Sequence, residues 1–385
     1  MTTETRMPLL AYRERFPILS TSTYLINNSL GAMPGSVRSS LGEYADLWET
    51  EGVAAWHDWL PMVGEVGDLL GTLIGAPRGS VLMHHSVSTT LSIIASCFDW
   101  KPPRNKVIHT SNEFPTVDFF WDAWQKLGAR SVRIAAPDKH QFPLERVLEA
   151  IDEETLLVSV SHVLFRSSEI VDVEAIIRRA HEVGAYALVD AYQSVGSMPL
   201  DVTAWDVDFL NGGSVKWLCG GPGAGYLYVR PDLIQQLEPA VCGWFSHESP
   251  FAFNDAPIDY APDITRFLGG TPAMPGFYAA REGYKILAEV GLAPIRARSL
   301  ELTRPLLDWA LEKGLSLRTP TDDARRGGHV TIDFPGAEEA SQRLLADRFF
   351  VDYRPGSGIR ISPHFFNTAE EVDAVMREVD AILAG

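Results

Sequence analysis

A strand–helix–strand pattern in the middle of the chain constrains the fold more than any other feature. TLLVSV at 155–160 is a short apolar run typical of a buried strand, and AYALVD at 185–190 is a second. Between them, VDVEAIIRRAHEVG at 171–184 has the period of an amphipathic helix, and Gly184 stands where that helix would end. Two strands joined by a helix predict a parallel sheet with a right-handed crossover.

Comparable segments on both sides of this unit extend the prediction to an α/β fold. Upstream, VLMHHS, KVIHTS and SVRIAA read as further strands with helices between them, and downstream HVTIDF and IRISP predict a smaller α/β unit. We therefore expect a large domain at 50–270 with a mostly parallel central sheet, and a smaller C-terminal domain at 271–385. The N-terminal segment, 1–49, is expected to belong partly to the small domain.

Charge and cysteine content limit the partners and the compartment. A formal net charge of −17 argues against nucleic-acid and anionic-membrane partners, since both need a basic face. Cys97, Cys219 and Cys242 lie far apart, which argues against a disulfide framework or a zinc site and suits a reducing compartment. No signal peptide is recognisable, and no apolar stretch approaches the ~20 residues of a membrane span. The sequence therefore predicts a cytoplasmic protein without a bound metal.

Three polar residues follow predicted strands in the second half of the large domain. Asp190 closes AYALVD, Gln193 comes three residues later, and Lys216 lies between two glycine-rich turns in GGSVKWLCGGPGAGYLYV at 212–229. Each alone has an ordinary explanation, such as a helix cap for the aspartate or a solvated charge for the lysine. Because open α/β sheets carry their sites at the carboxyl ends of strands, we expect the three to meet.

Together these residues indicate a site for pyridoxal 5′-phosphate. This cofactor needs a lysine for a Schiff base and an acid that keeps its pyridine nitrogen protonated. Its phosphate needs N–H groups and hydroxyls at a helix start, which Val87 and Ser88 offer in HHSVSTTLSIIAS. Phe114, in NEFPTVDFF, could stack on the pyridine ring. A plain helix cap and a core phenylalanine are the alternatives for these two segments.

Several longer stretches carry a resemblance to a known family. They are DAYQSVGSMPLDVTAWDVDFLNGGSVKWLCGGPGAGYLYV, AAWHDWLPMVGEVGDLLGTLIGA, the FPT of EFPTVDFF, GWFSHESPF and RPGSGIRISPHFFNTAEEVD. They resemble kynureninases and kynureninase-like proteins, which belong to the class-V, fold-type-I pyridoxal phosphate enzymes. The similarity spans about residues 24–380, and GWFSHE and RPGSGIRISPHFFNT are its most family-specific parts. The resemblance implies the pyridoxal phosphate-dependent transferase fold of type I.

The resemblance implies roles for the matching positions. Lys216 would bind the cofactor and move the substrate proton, and Asp190 would pair with the pyridine nitrogen. Arg360 would bind the substrate α-carboxylate as a bidentate fork, while Phe245 would contact the substrate side chain. The remaining implied cofactor contacts are Val87, Ser88, Phe114, Ser161, Gln193, Ser214, Trp244 and Thr271. Trp244 and Thr271 match contacts made around a subunit interface, which implies a homodimer with shared active sites.

The implied activity is hydrolytic Cβ–Cγ cleavage of kynurenine or a related aromatic γ-keto amino acid, giving an anthranilate-type product and alanine. Val215 stands where kynureninases carry a tyrosine, and Gln193 stands where they usually carry a histidine. These two residues favour a second interpretation with the same cofactor: an aminotransferase, a β-lyase or C–S lyase, or a desulfurase-like enzyme. A cofactor-free binding protein is the third, and the joint presence of Lys216, Asp190 and Arg360 opposes it.

Two further positions depart from the kynureninase pattern. The family's compact FPTD becomes FPTVD, so either Val117 or Asp118 could take the position of the family's carboxylate. Thr90 replaces the asparagine that is usual in the phosphate-loop helix. Neither change argues against the cofactor, but both concern the reaction that it serves.

Overall fold

A seven-stranded sheet forms the centre of the protein in the computed structural model, which describes residues 8–253 and 257–384. The described residues form thirteen strands in all, and seven of them make up this sheet. The strands are β1 (Thr23–Tyr24), β2 (Val81–His84), β3 (Lys106–Thr110), β4 (Arg130–Ile134), β5 (Thr155–Ser161), β6 (Tyr186–Asp190), β7 (Phe209–Gly213), β8 (Gly225–Val229), β9 (Ser316–Leu317), β10 (Val330–Asp333), β11 (Phe349–Phe350), β12 (Asp352–Arg354) and β13 (Gly358–Ile361). The helices are α1 (Val37–Glu51), α2 (Trp56–Ile74), α3 (Val87–Ser96), α4 (Pro115–Trp124), α5 (Leu144–Ala150), α6 (Val173–Glu182), α7 (Val202–Trp205), α8 (Pro231–Ile234), α9 (Met274–Val290), α10 (Leu292–Glu312), α11 (Ala337–Ala346) and α12 (Ala369–Ala384).

The central sheet has the strand order β2-β8-β7-β6-β5-β3-β4. Strand β8 runs antiparallel to both of its neighbours, and every other pair in the sheet is parallel. The predicted parallel strand–helix–strand unit is confirmed, because β5 and β6 pair in parallel and α6 connects them. Asp172 begins α6 by accepting a hydrogen bond from the Ala175 N–H at 3.0 Å. Gly184 follows the helix with a φ of +71°, a conformation that favours glycine.

A second, smaller unit lies at the C-terminal end of the chain. Its sheet has the order β12-β13-β10-β9 and is antiparallel throughout. Helices α10, α11 and α12 cover it, and their apolar faces form a separate core with strand residues such as Val330 and Ile361. The expected fold, a large unit with a mostly parallel sheet plus a smaller α/β unit, is confirmed.

The N-terminal segment contacts both units. Strand β1 pairs in parallel with β11, and Leu25 belongs to the smaller core, whereas Tyr12 and Phe16 belong to the larger one. Helix α9 packs on α1 and α2 and adds buried residues such as Phe277 to the larger core. The division into 1–49, 50–270 and 271–385 stays a prediction, and residues 1–7 lie outside the described part of the chain.

None of the helices within 8–253 and 257–384 combines the length and the apolar character that a membrane span requires.

Candidate active site

The carboxyl ends of five parallel strands meet at one edge of the central sheet, and the candidate site lies there. Each of these strands is followed by residues that line a single cavity of about 430 Å³. The residues that sequence reasoning predicted and that line it are Val87 and Ser88 after β2, Phe114 after β3, Ser161 at the end of β5, Asp190 and Gln193 after β6, and Lys216 after β7, together with Arg360 from β13. Tertiary packing therefore brings together side chains from most of the chain.

Lys216 is held over the cavity, and no carboxylate within 8–253 and 257–384 forms an ion pair with it. Its Nζ lies 5.5 Å from the ring centroid of Phe114 and 4.4 Å from that of Tyr192. The backbone is fixed next to it, since the Gly31 N–H donates to the Val215 carbonyl at 2.7 Å. Desolvation by burial, and to a lesser degree the charge of Arg360, lower the pKa of Lys216 to about 7. Near neutral pH, a substantial fraction of the amine is therefore unprotonated and nucleophilic.

Asp190 ends β6 and points its carboxylate into the same space. Its Oδ1 accepts a hydrogen bond from the Tyr192 N–H at 2.8 Å, and its carbonyl accepts one from the His162 N–H at 2.9 Å. Desolvation raises the pKa of Asp190, and the Tyr192 N–H and the Lys216 charge oppose this effect. Because burial is costly for the anion, a cation placed beside Asp190 would be stabilised strongly.

The start of α3 provides donors for an anion. Ser86 caps the helix by accepting a hydrogen bond from the Thr89 N–H at 3.4 Å, and Val87 and Ser88 form its first turn. The N–H groups of a first turn have no partner within the helix, and the helix dipole favours negative charge there. Thr90 holds the helix on the sheet, because its Oγ1 accepts a hydrogen bond from Asn211 Nδ2 at 3.1 Å.

Ser161 is paired with a buried carboxyl group that sequence reasoning missed. Glu113 accepts hydrogen bonds from the Ser161 N–H at 2.9 Å, from Ser161 Oγ at 2.5 Å and from Thr110 Oγ1 at 2.8 Å. Burial is the largest influence on Glu113 and raises its pKa to about 8, in the same direction as the nearby Asp190 charge. The Ser161 hydroxyl is thus directed towards Glu113, and its predicted cofactor contact stays a prediction.

Gln193 has both ends of its side-chain amide occupied. Its Nε2 donates to the Asn28 carbonyl at 3.0 Å, and its Oε1 accepts a hydrogen bond from Trp217 Nε1 at 2.9 Å. One N–H of the amide is left for a ligand, and the side chain lines the cavity. Asn28 and Ser29 line it as well, so the N-terminal segment completes the wall next to Gln193.

Arg360 is buried with only 1% of its surface exposed, and it is already paired with a carboxylate. Its Nε donates to Asp352 Oδ1 at 2.8 Å, its Nη2 bonds Asp352 Oδ2, and its Nη1 donates to the Phe165 carbonyl at 2.7 Å. A second guanidinium, Arg354, also lines the cavity and lies 2.9 Å from Asp352 Oδ2. Asp352 therefore holds two cations at the cavity wall, where only Arg360 was expected.

Four predicted residues do not line this cavity. The fully buried Ser214 hydroxyl bonds Tyr284 and the Ala224 carbonyl, and its predicted cofactor contact stays a prediction. Phe245 is 5% exposed and packs against Trp244 at a centroid distance of 3.9 Å, and its predicted substrate contact stays a prediction as well. Trp244 and Thr271 are exposed and away from this cavity, and their expected contact with a partner subunit's site stays a prediction.

The structure shows where Val117 and Asp118 lie. Val117 is buried inside α4, while Asp118 bonds Arg133 and lies 3.0 Å from His109 Nδ1. Neither lines the cavity, and Thr116, one position earlier, does. Val215 also lines the cavity, so an aliphatic side chain occupies the position before the lysine.

Tyr192, Arg354 and Asp352 are site residues that sequence reasoning missed although a signal was available. Tyr192 lies in DAYQ between two predicted residues, and the other two precede Arg360 in VDYRPGSGIR. Asn28 gave no such signal, since it lies 165 residues away from its partner Gln193 in the chain.

The cavity has the complementary groups that pyridoxal phosphate requires. An amine of lowered pKa, a half-buried carboxylate, a helix start with open N–H groups and an exposed aromatic ring surround one space. The fold and the site together define a fold-type-I pyridoxal phosphate enzyme.

The comparisons with known proteins agree with this class. The family model for aminotransferase class-V matches residues 62–375, and the chain belongs to that family. The expectation of pyridoxal 5′-phosphate as cofactor is confirmed at this level. An uncharacterized aminotransferase, YcbU of Bacillus subtilis (strain 168), is 32% identical over 96% of this chain and 97% of its own length. Kynureninase of Pseudomonas fluorescens is 28% identical over 95% of this chain and 91% of its own.

Solved structures confirm the fold. The apo cysteine desulfurase of Thermococcus onnurineus NA1 superposes with a TM-score of 0.86 at 22% identity, covering 97% of this chain and 98% of that one. A lysine-to-alanine variant of C-DES, with glycine covalently linked to its pyridoxal phosphate, gives a TM-score of 0.85 at 21% identity, covering 96% and 99%.

Proposed function

We propose that this enzyme acts on a small L-amino acid and that its reaction is of the kynureninase type, the hydrolytic Cβ–Cγ cleavage of kynurenine or a related aromatic γ-keto amino acid. The observation that carries the proposal is the meeting of Lys216, Asp190 and two arginines in one cavity of about 430 Å³. The similarity to kynureninases over more than nine-tenths of the chain supports the reaction type.

Lys216 is the residue that moves the substrate proton. Its amine is in part unprotonated near neutral pH, so Nζ can accept the proton of the substrate α-carbon and return it elsewhere. When bound, pyridoxal phosphate supplies an electron sink for the carbanion that this proton transfer creates. Asp190 holds its negative charge where a protonated pyridine nitrogen would need it, and the Tyr192 N–H orients the carboxylate.

The two arginines bind and orient the substrate carboxylate. Arg360 donates hydrogen bonds from Nε and Nη2 to Asp352 and from Nη1 to the Phe165 carbonyl. Only its remaining N–H groups are left to bind a substrate carboxylate. Arg354 is bound to the same carboxylate and is more exposed to the cavity. A substrate carboxylate therefore competes with Asp352, and Arg354 is placed to share it with Arg360.

The cavity lining argues against one alternative within the family. A desulfurase-like reaction that passes sulfur to the enzyme needs a thiol next to the substrate. Cys219 is buried and Cys97 is half-buried, whereas the exposed Cys242 lies beside Trp244 on another part of the surface. No cysteine is among the described residues of one chain that line the cavity, so such a thiol would have to come from outside this lining.

A second candidate function is an aminotransferase or β-lyase reaction with the same cofactor. Val215 favours it, because an aliphatic side chain lines the cavity at the position where kynureninases carry a tyrosine. The tyrosine hydroxyl can donate a proton in the hydrolytic reaction, and valine cannot. Proton transfer by Lys216 alone is sufficient for a transamination.

Product analysis separates the two candidates. Purified enzyme loaded with pyridoxal phosphate is incubated with kynurenine, 3-hydroxykynurenine and a panel of other L-amino acids, and anthranilates, alanine, pyruvate and keto acids are all quantified. We expect anthranilate or its hydroxy derivative together with alanine. Keto acid or pyruvate without anthranilate would reject the hydrolase and favour the second candidate. A Lys216→Ala variant prepared in parallel is the control for non-enzymatic breakdown.

We also propose a homodimer with shared active sites. Trp244, Phe251 and Phe253 expose large apolar surfaces and contact one another, with ring centroids of Trp244 and Phe253 5.9 Å apart. Such a patch is typical of an interface. Light scattering on a size-exclusion column should give twice the 42.5 kDa chain mass, and a Trp244→Ala variant should weaken both dimerisation and cofactor retention.

A further inference from the structure

Tyr192 is the aromatic residue nearest to the catalytic lysine, and neither the family match nor the resemblance assigns it a role. Its half-buried ring lines the cavity, and its centroid is 4.4 Å from Lys216 Nζ. The other ring beside this amine, Phe114, is farther away at 5.5 Å. The amine that must reach the cofactor aldehyde thus lies over two aromatic faces.

The position of the Tyr192 ring depends on a glycine in the neighbouring strand. A Cβ built on Gly213, at the end of β7, would lie 2.4 Å from the Tyr192 hydroxyl oxygen and 2.5 Å from its Cζ. Atoms cannot approach this closely, so a side chain at Gly213 would require the Tyr192 ring to shift from its position. The absence of a side chain at Gly213 is what lets the Tyr192 ring lie beside β7.

The Tyr192 hydroxyl makes no hydrogen bond to any residue in 8–253 or 257–384, which distinguishes it from other tyrosines around the site. Burial, with the Asp190 charge adding to it, raises the pKa of the phenol to about 12. A phenol that makes no hydrogen bond and has a raised pKa is poorly suited to donate a proton to a substrate or to hold a neighbouring side chain in place. The ring, rather than the hydroxyl, is the part placed for a ligand.

We propose that Tyr192 forms a second aromatic wall of the pyridoxal phosphate slot, in addition to Phe114, and that Gly213 is glycine in order to leave room for that ring. The pyridine ring of the cofactor is planar and aromatic, and it would be attached to Lys216. Because Lys216 Nζ lies over the Tyr192 ring, the attached pyridine would lie close to that ring. Tyr192 is thereby a cofactor-positioning residue that supports the proposed function.

The first test is the affinity of the apoenzyme for pyridoxal phosphate in three variants. Tyr192→Ala removes the ring and keeps the backbone N–H that orients Asp190, so we expect about three- to tenfold weaker binding, the size of one lost aromatic contact. Tyr192→Phe keeps the ring and should bind within about twofold of the wild type. Binding is followed by the visible absorption of the lysine-bound cofactor, and thermal melting of each apoenzyme controls for folding.

The second test is a double-mutant cycle with Gly213. Gly213→Ala should weaken cofactor binding in the wild-type background by displacing the ring, and it should have no further effect in Tyr192→Ala, where the space is empty. If Gly213→Ala fails to fold, recovery of folding in the double variant supports the same steric pairing.

Several outcomes would overturn the inference. They are undiminished binding in Tyr192→Ala, an equal loss in Tyr192→Phe and Tyr192→Ala, or additive effects of the two sites in the cycle. Wild-type protein that binds no pyridoxal phosphate would reject the proposed function as well, whereas undiminished Tyr192→Ala rejects only the role of Tyr192.

Discussion

Two lysines at opposite ends of central strands, Lys106 buried and Lys216 half-buried, show how position decides what an amine can do. Lys106 begins β3, and its Nζ donates to the Ala150 carbonyl at 2.7 Å and lies 2.6 Å from Asp152 Oδ1. Lys216 follows the end of β7, and among the described residues it has no ion pair. Aromatic rings lie beside its amine, and the charges that act on it, such as those of Arg360 and Asp190, are more distant. An amine that is held by a carboxylate and a carbonyl serves the structure, while an unpaired, desolvated amine can act as a base and a nucleophile.

The largest expected effect comes from removing the unpaired lysine. Lys216→Ala should reduce turnover by about 10³- to 10⁴-fold and abolish the visible band of the bound cofactor, since proton transfer and covalent attachment both need this amine. Steady-state kinetics and the absorption spectrum measure the two effects. A visible band that survives sodium borohydride treatment unchanged in the wild type would contradict the assignment of Lys216.

Attachment of the cofactor to Lys216 should depend on pH, because the pKa of this amine is lowered to about 7. Only the neutral amine attacks an aldehyde, so attachment to the apoenzyme should be slow at low pH, rise through a midpoint near pH 7 and level off above it. Below the midpoint, the rate should fall by about tenfold per pH unit. Stopped-flow absorbance between pH 5 and 9 measures it, and a rate that still rises at pH 9, as for an ordinary lysine, would contradict the lowered pKa.

The charge of Arg360 links substrate binding to this midpoint. Arg360→Gln should raise KM for an amino-acid substrate by about ten- to hundredfold, because it removes charge-assisted hydrogen bonds to the carboxylate. It should also move the midpoint of cofactor attachment to higher pH, since Arg360 lowers the pKa of Lys216. Arg354→Gln is the matched control and should shift the midpoint less, because its influence is smaller. Equal losses of substrate and cofactor binding in Arg360→Gln would indicate a structural role.

The smallest catalytic effect is expected at the paired lysine. Lys106→Met removes the charge and leaves the buried Ala150 carbonyl without its donor, so it should lower the free energy of unfolding by about 1–3 kcal/mol. Asp152 is half-exposed and can be rehydrated, which limits the loss. Urea denaturation measures stability, and turnover of the cofactor-loaded variant should equal that of the wild type. A loss of turnover at unchanged stability would mean that the two lysines are not separate in function.

The sequence predicted the site best where a residue ends a recognisable strand. Asp190 and Lys216 could be placed at the same edge of the sheet because strand direction follows from a strand–helix–strand pattern. Ser214 follows the end of β7 directly and lies two residues before Lys216, yet its hydroxyl bonds Tyr284 and the Ala224 carbonyl. Neighbours in a turn point in different directions, and chain proximity does not reveal which one enters the cavity.

By itself, the sequence determined the alternation of strands and helices and the cofactor, and it singled out the lysine proposed to bind that cofactor, because local periodicity and short motifs encode these features. Only the tertiary structure decided that Asp352 pairs with Arg360 and that Asn28 closes the wall beside Gln193. It also decided that Tyr192 lies over Gly213 next to Lys216. These contacts join distant parts of the chain, and they depend on strand register and side-chain rotamers that only the packed fold sets.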